Sequence, residues 1–157
     1  MPTRACVRCR GSTVAHMLDR MAGEAGPVSL ALENMPILAC DKGHRQFMHP
    51  EFPRWLLEHL MQEDEGRLPA GVEQGLLRKH YHCGQCGVRL EPQPSRRETF
   101  RFDVALGDVA PFRVALTAPL YRCPGCSQEQ LHSIREVRKR TPEALTHAFQ
   151  AAEIPAG

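Results

Sequence analysis

A C-x-x-C pair, a strand pattern that returns into further metal-ligand residues, and a proline-opened helix behind them each occur twice in this chain. Together they predict a small α+β fold of two tandem metal-stapled units, each a β-hairpin or small antiparallel sheet with two metal knuckles followed by a helix. The composition agrees. Of 157 residues, 42% are hydrophobic but only 6% aromatic, beside 13 prolines, 12 glycines and seven cysteines. Such a core is thin for the length, so a cross-link is expected to hold the chain together. No apolar run approaches the roughly 18 to 20 residues of a membrane-spanning helix, and the start MPTRACVRCRG has no apolar stretch of the secretory kind. The expectation is a cytoplasmic protein without a membrane partner.

The first unit opens on Cys6-x-x-Cys9 and the second on Cys83-x-x-Cys86; Cys123-x-x-Cys126 completes a third pair, and Cys40 stands alone. An odd cysteine count fits a disulfide framework badly, whereas two turn-borne pairs converging on one point suit tetrahedral zinc. Three pairs supply six ligands and two sites need eight. His44, four residues after Cys40, supplies what the singleton lacks, and Gly43 before it can take the positive φ of a metal-binding turn. Site 1 is therefore Cys6, Cys9, Cys40 and His44, with His49 the rival fourth ligand. Site 2 is Cys83, Cys86, Cys123 and Cys126. Two Zn2+ per chain are expected, with iron at site 2 as the alternative. His80 and His82 read as solvent-facing linker residues, and His16, His59, His132 and His147 have no ligand spacing.

The repeat extends beyond the ligands. In MPILACDKGH (35–44) and APLYRCPGC (118–126) a proline stands four residues before the first ligand of the second set. Strand-like segments precede both, at 29–32 (SLAL) and 113–116 (RVAL). After the ligands, His49-Pro50-Glu51 opens a helix over PRWLLEHLMQ and Thr141-Pro142-Glu143 opens one over ALTHAFQAAEI, with Thr141 placed as N-cap. Trp55, Leu56, Leu60 and Met61 form an apolar stripe on the first helix; Leu145, Ala148, Phe149 and Ala152 form one on the second. In the second unit, 98–106 and 112–121 read as a hairpin turned at Gly107-Asp108. Two complete copies predict sequential metal sites rather than an interleaved cross-brace. The units are 1–62 and 80–157. The acidic, then Pro/Gly-interrupted stretch 63–79 reads as a linker with a short helical turn at 72–79.

These residues carry a resemblance. Cys83-Gly-Gln-Cys86, a two-stranded segment, Leu120-Tyr-Arg-Cys123-Pro-Gly-Cys126 and a trailing helix resemble the YgiT-type zinc-ribbon domain, the metal-binding half of MqsA-like antitoxins, over residues 80–152. The first half resembles the same unit more loosely. The resemblance implies a structural zinc domain that binds a toxin partner. The family's helix-turn-helix DNA-binding domain has no counterpart here, so its repressor function is not implied.

The function expected is a non-catalytic, tandem zinc-ribbon interaction module, antitoxin-like or regulatory, with a protein as partner, since closed four-ligand sites leave no position for water or substrate. Trp55, Leu56, Leu60 and Phe149 are the candidate partner-binding residues, and the same apolar helix faces are candidates for homo-oligomerisation. A nucleic-acid-binding alternative rests on the mildly basic second half, with Arg96, Arg97, Arg101, Arg135, Arg138, Lys139 and Arg140 as candidate phosphate contacts, against a net charge of only +2. A rubredoxin-like iron or dithiol redox protein is the second alternative. No Ser-His-Asp set, phosphate loop or H-E-x-x-H motif emerges from spacing, and no enzyme is expected.

Overall fold

A computed structural model describes residues 4–155. Each half contributes one long hairpin. In the first half, β1 (Thr13–Ala25) and β2 (Val28–Cys40) pair antiparallel around a tight turn in which Gly26 takes φ +55°. In the second, β6 (Arg96–Val104) pairs with β7 (Phe112–Arg122). The β6–β7 connection contains Gly107 at φ +57°, close to where the turn dipeptide predicts it. The two hairpins join through β2 and β7, which are antiparallel, giving one sheet in the order β1-β2-β7-β6. Short strands β3 (Arg45–Gln46) and β8 (Glu129–Gln130) flank β2 and β7. The halves therefore share a sheet, and one hydrophobic cluster draws on both.

The join reflects the repeat. Ala31 and Ala115, the matched alanines of 29–32 and 113–116, face each other in the β2–β7 ladder, so a local two-fold relation passes between them. From that pair the two strands run in opposite directions, each ending at its own second knuckle. Asn34 takes φ +57°, and it and Asp19 opposite it form the one position missing from an otherwise continuous β1–β2 register.

The helices cross over to the other half. Helix α1 (Phe52–His59) carries Phe52 beside Phe112 of β7, with ring centroids 5.7 Å apart, and Trp55 lies against Gly107. Helix α2 (Ile134–Ala151) lies on β1. A Cβ on Gly23 of β1 would meet the Ala144 carbonyl oxygen and the Ala148 nitrogen at 2.3 Å, so only glycine permits this approach. Phe47 joins the groups, stacking on Phe52 and meeting Phe149 edge-on. Leu56 and Leu60 are wholly buried and Phe149 nearly so, while Trp55 is half-buried. Leu56, Leu60 and Phe149, offered above for a partner or for self-association, are thus spent on this core, and Trp55 only in part.

Two helix boundaries differ from expectation. Helix α2 begins eight residues before Pro142, because Ser133 caps it and its Oγ accepts from the Glu136 N–H at 3.2 Å. The Ser-x-x-Glu box outweighs the Thr-Pro signal. Thr141 is consequently a buried mid-helix residue, and Pro142 inside the helix cannot supply the N–H owed to the Arg138 carbonyl. Helix α1 continues through a wider π turn (Leu60–Asp64) and a 3-10 turn (Glu65–Arg67).

The segment 63–79 is not bare linker. Asp64, Glu65 and Leu68 are buried, Ala70 bridges to Leu131, and Val72–Gln74 (β4) pairs with His80–His82 (β5) as a second, two-stranded sheet in place of the helical turn. In β4 half-buried Glu73 stands between exposed Val72 and Gln74, as the strand period requires, while all three residues of β5 are half-buried.

Candidate metal centres

Four knuckles of one design sit at the ends of the two hairpins. At Cys83, the N–H donates to the Val88 carbonyl at 2.7 Å and the carbonyl accepts from Gly87 at 3.0 Å, with Gly87 at φ +78°. Cys123 repeats this with Gln128 and Ser127, Cys6 with Gly11 and Arg10, and Cys40, one residue tighter, with His44 and Gly43. The left-handed position falls to Arg10, Gly43, Gly87 and Ser127, so the positive φ expected of Gly43 is present. The same geometry is adopted at two non-glycine residues. Gly84 and Gly125 serve differently: a Cβ would strike the Ala70 carbonyl oxygen at 2.7 Å or Val88 at 2.9 Å.

The knuckles bring together Cys6, Cys9, Cys40 and His44 in one cluster and Cys83, Cys86, Cys123 and Cys126 in the other, with the ligand atoms of each within 4.8 Å of one another. Each cluster draws on one half of the chain. Because β2 and β7 are antiparallel, the clusters lie at opposite ends of the sheet. His49 is elsewhere: its Nε2 is 2.6 Å from Asp108 Oδ1 and its ring packs against Trp55.

The spacings suit a tetrahedral metal. Metal–sulfur bonds of about 2.3 Å and metal–nitrogen bonds of about 2.05 Å give tetrahedral edges of roughly 3.8 Å between sulfurs and roughly 3.6 Å between sulfur and nitrogen. Cys9 and Cys40 sulfurs are 3.8 Å apart, and Cys6 Sγ is 3.6 Å from His44 Nδ1. In the second cluster Cys83–Cys126 is 3.6 Å and Cys86–Cys123 is 3.3 Å. These separations far exceed a disulfide's length of about 2.05 Å, and all seven cysteines are free. The donor set, three thiols with an imidazole and four thiols, is that of closed metal sites.

Backbone N–H groups prepare the thiolates. The Cys9 N–H, foremost, holds the Cys6 thiol down at about 6, and the N–H groups of Cys86 and Gln85 do the same for Cys83. Cys123 is lowered in the same way by the Cys126 N–H.

Two buried glutamines, not apparent from ligand spacing, stand behind the first cysteine of each half. Gln46 of β3 accepts from the Val7 N–H at 2.9 Å and donates to the Ala5 carbonyl; Gln130 of β8 accepts from the Gly84 N–H at 2.9 Å and donates to Cys83 Sγ at 3.2 Å. Both fix the residue that follows the leading cysteine, and Gln130 adds an N–H to a thiolate. They stand six residues after Cys40 and seven after Cys123, an offset that the one-residue-tighter knuckle at Cys40 accounts for.

The basic residues are largely committed. Arg96 pairs with Glu98 and Glu129, Arg97 donates to the Pro27 carbonyl, Arg138 donates to the Met61 carbonyl at 2.9 Å, and Arg140 lies over the Gly26 turn. Arg101, Arg135 and Lys139 have no ion pair or side-chain hydrogen bond among the described residues. His132 is sandwiched between Tyr81 and Tyr121, where burial lowers its pKa. His147 Nδ1 is 2.7 Å from the Glu24 carbonyl oxygen, and His80 and His82 are half-buried in β5.

The fold and clusters define a small α+β chain with an antiparallel sheet, two helices and two cysteine-rich sites able to hold a metal ion. Comparison with known proteins adds no relative: no family model, no curated protein and no solved structure matches the chain. No helix among the described residues is long and apolar enough to cross a membrane.

Proposed function

We propose that this chain binds two zinc ions as structural cross-links in a tandem zinc-ribbon arrangement and acts as a non-catalytic, protein-binding module, antitoxin-like or regulatory. The observation that carries this reading is closure. Each cluster already presents four ligand atoms at near-tetrahedral separations, so a metal held there keeps no position for water or substrate. Zinc suits both donor sets as a structural metal, whereas the four-thiolate site alone has the donor set of a rubredoxin-like iron centre. When bound, the metal pins two knuckles of one hairpin together, and Gln46 and Gln130 hold the leading knuckle of each half in place.

The charged face of the sheet favours a protein over a nucleic acid. Across the four strands Arg20, Glu33, Arg113 and Asp103 form a row of alternating charge, and Ala22, Ala31, Ala115 and Arg101 form the next. Neither row offers an aromatic platform for a base, and the charges of the first row balance, leaving Arg101 as the single net charge of the two. The YgiT-type resemblance, in which the zinc half binds a toxin, supports the same partner class.

Elemental analysis with X-ray absorption of the purified protein tests the metal reading: two zinc per chain, each with four protein ligands, is expected. Bound iron, or a water in either first coordination sphere, would refute it. Retarded migration of a DNA or RNA probe at moderate salt would replace the protein-partner reading with the nucleic-acid one.

A further inference from the structure

The β4–β5 hairpin ends in Gly75-Leu76-Leu77-Arg78-Lys79, and both leucines are fully exposed. Gly75 makes the turn: its φ is +104°, and a Cβ there would lie 2.0 Å from the Arg78 carbonyl oxygen. The turn therefore presents two adjacent apolar side chains on a convex tip, where consecutive residues splay apart. That shape fills no single pocket, but a fluid acyl layer takes both. Cations lie on the tip and behind it, near Glu73 of β4. Arg78 and Lys79 are exposed beside the leucines, with Lys79 also 2.6 Å from Glu73. Arg135 and Lys139 of α2 stand close enough to help Lys79 hold the Glu73 carboxyl below its usual range. Glu73 and Glu136 are the neighbourhood's carboxylates, and Glu136 is engaged by the Tyr81 hydroxyl at 3.1 Å.

We propose that this tip is a membrane-surface contact, Leu76 and Leu77 entering the headgroup–acyl boundary of an anionic bilayer while Arg78, Lys79, Arg135 and Lys139 meet the lipid phosphates. The contact is peripheral and goes beyond the interaction-module reading, because it assigns a lipid partner to a surface outside both metal clusters.

The test is flotation of the metal-loaded full chain with phosphatidylcholine vesicles, with and without phosphatidylglycerol. Expected are co-flotation with the anionic vesicles, weaker binding to the neutral ones, and release by salt. A Leu76→Ser/Leu77→Ser variant should lose roughly tenfold or more in lipid affinity, with metal content and circular dichroism unchanged because neither side chain packs on anything. Arg78→Glu should weaken binding to the anionic vesicles alone. No flotation of the parent with anionic vesicles at low salt, or equal flotation of the double-serine variant, overturns the proposal. So does a dimer in sedimentation velocity that the double-serine change abolishes, since the leucines would then belong to a second copy of the chain.

Discussion

Glu65 offers a pH-dependent stability that can be worked through from its surroundings. The side chain is wholly buried in the 3-10 turn after α1, and one carboxylate oxygen, Oε1, has no partner. Burial pushes its pKa up to about 7 from the ordinary 4.5, against the Thr141 hydrogen bond and the Arg138 charge, which pull it down. The geometry also favours the acid form. Thr141 Oγ1 lies 2.6 Å from Glu65 Oε2 and 2.9 Å from the Val137 carbonyl oxygen, yet a hydroxyl has one proton. Both contacts are hydrogen bonds when the carboxyl donates to Thr141 and Thr141 donates to the helix carbonyl. The folded pKa lies above the unfolded one, so this group's contribution is fully present below the unfolded value and is lost as pH rises through the folded value. Linkage puts the loss between pH 5 and pH 8 at about 2.5 kcal/mol. Glu65→Gln keeps the shape and a donor for Thr141 but cannot ionise. Urea unfolding of parent and variant, each metal-loaded, cancels the pH dependence of the metal sites common to both. The variant should be within about 1 kcal/mol of the parent at pH 5 and pull ahead by about 2.5 kcal/mol by pH 8. A difference between the two that stays flat across this range would refute the reasoning.

Three further outcomes follow from the sheet and the clusters. Cys123→Ser should lower bound metal from two ions to one per chain by elemental analysis and leave the Cys6 cluster loaded, because the clusters occupy opposite ends of the sheet; loss of both ions would mean the joint core transmits the damage. Gly23→Ala should force α2 off β1 and cost about 3 kcal/mol, a fall of about 10 °C in the thermal midpoint followed by circular dichroism, and an unchanged midpoint would show that the helix does not approach as described. Gln130→Ala should speed release of one metal ion to a chromogenic chelator by roughly tenfold or more, since it removes an N–H from Cys83 Sγ and leaves the Gly84 N–H unpaired; equal release rates would reduce Gln130 to packing.

Much of the candidate site was legible because its chemistry is local. A C-x-x-C turn fixes two sulfurs on one side of a tight loop whatever the rest of the chain does, and the arithmetic of seven cysteines called for one histidine beside Cys40. The second hairpin was legible from alternation and α1 from its proline-opened start, whereas for α2 the helix was legible but its start was not. The misses share a cause. The Ser133 cap and the Thr141-Pro142 pair are both valid helix openings in sequence, and only the packing of α2 along β1 selects the earlier one. The stretch 63–79 looks like a linker because Asp64 and Glu65 are acidic, yet the core buries both.

The sequence by itself determined two repeats, the eight candidate ligands that the clusters bring together and the hairpins that carry them, since each depends on spacings of a few residues. Tertiary structure decided how the copies meet. The β2–β7 ladder, the Ala31–Ala115 pair and the exchange of helices over the opposite hairpins are long-range pairings that no local pattern encodes. They arise because a single hairpin with a short helix has too little apolar surface to bury alone, and two joined edge to edge make one sheet deep enough to cover both. The apolar stripes of α1 and α2 were readable as stripes, but what they face was settled only when the other half supplied the surface.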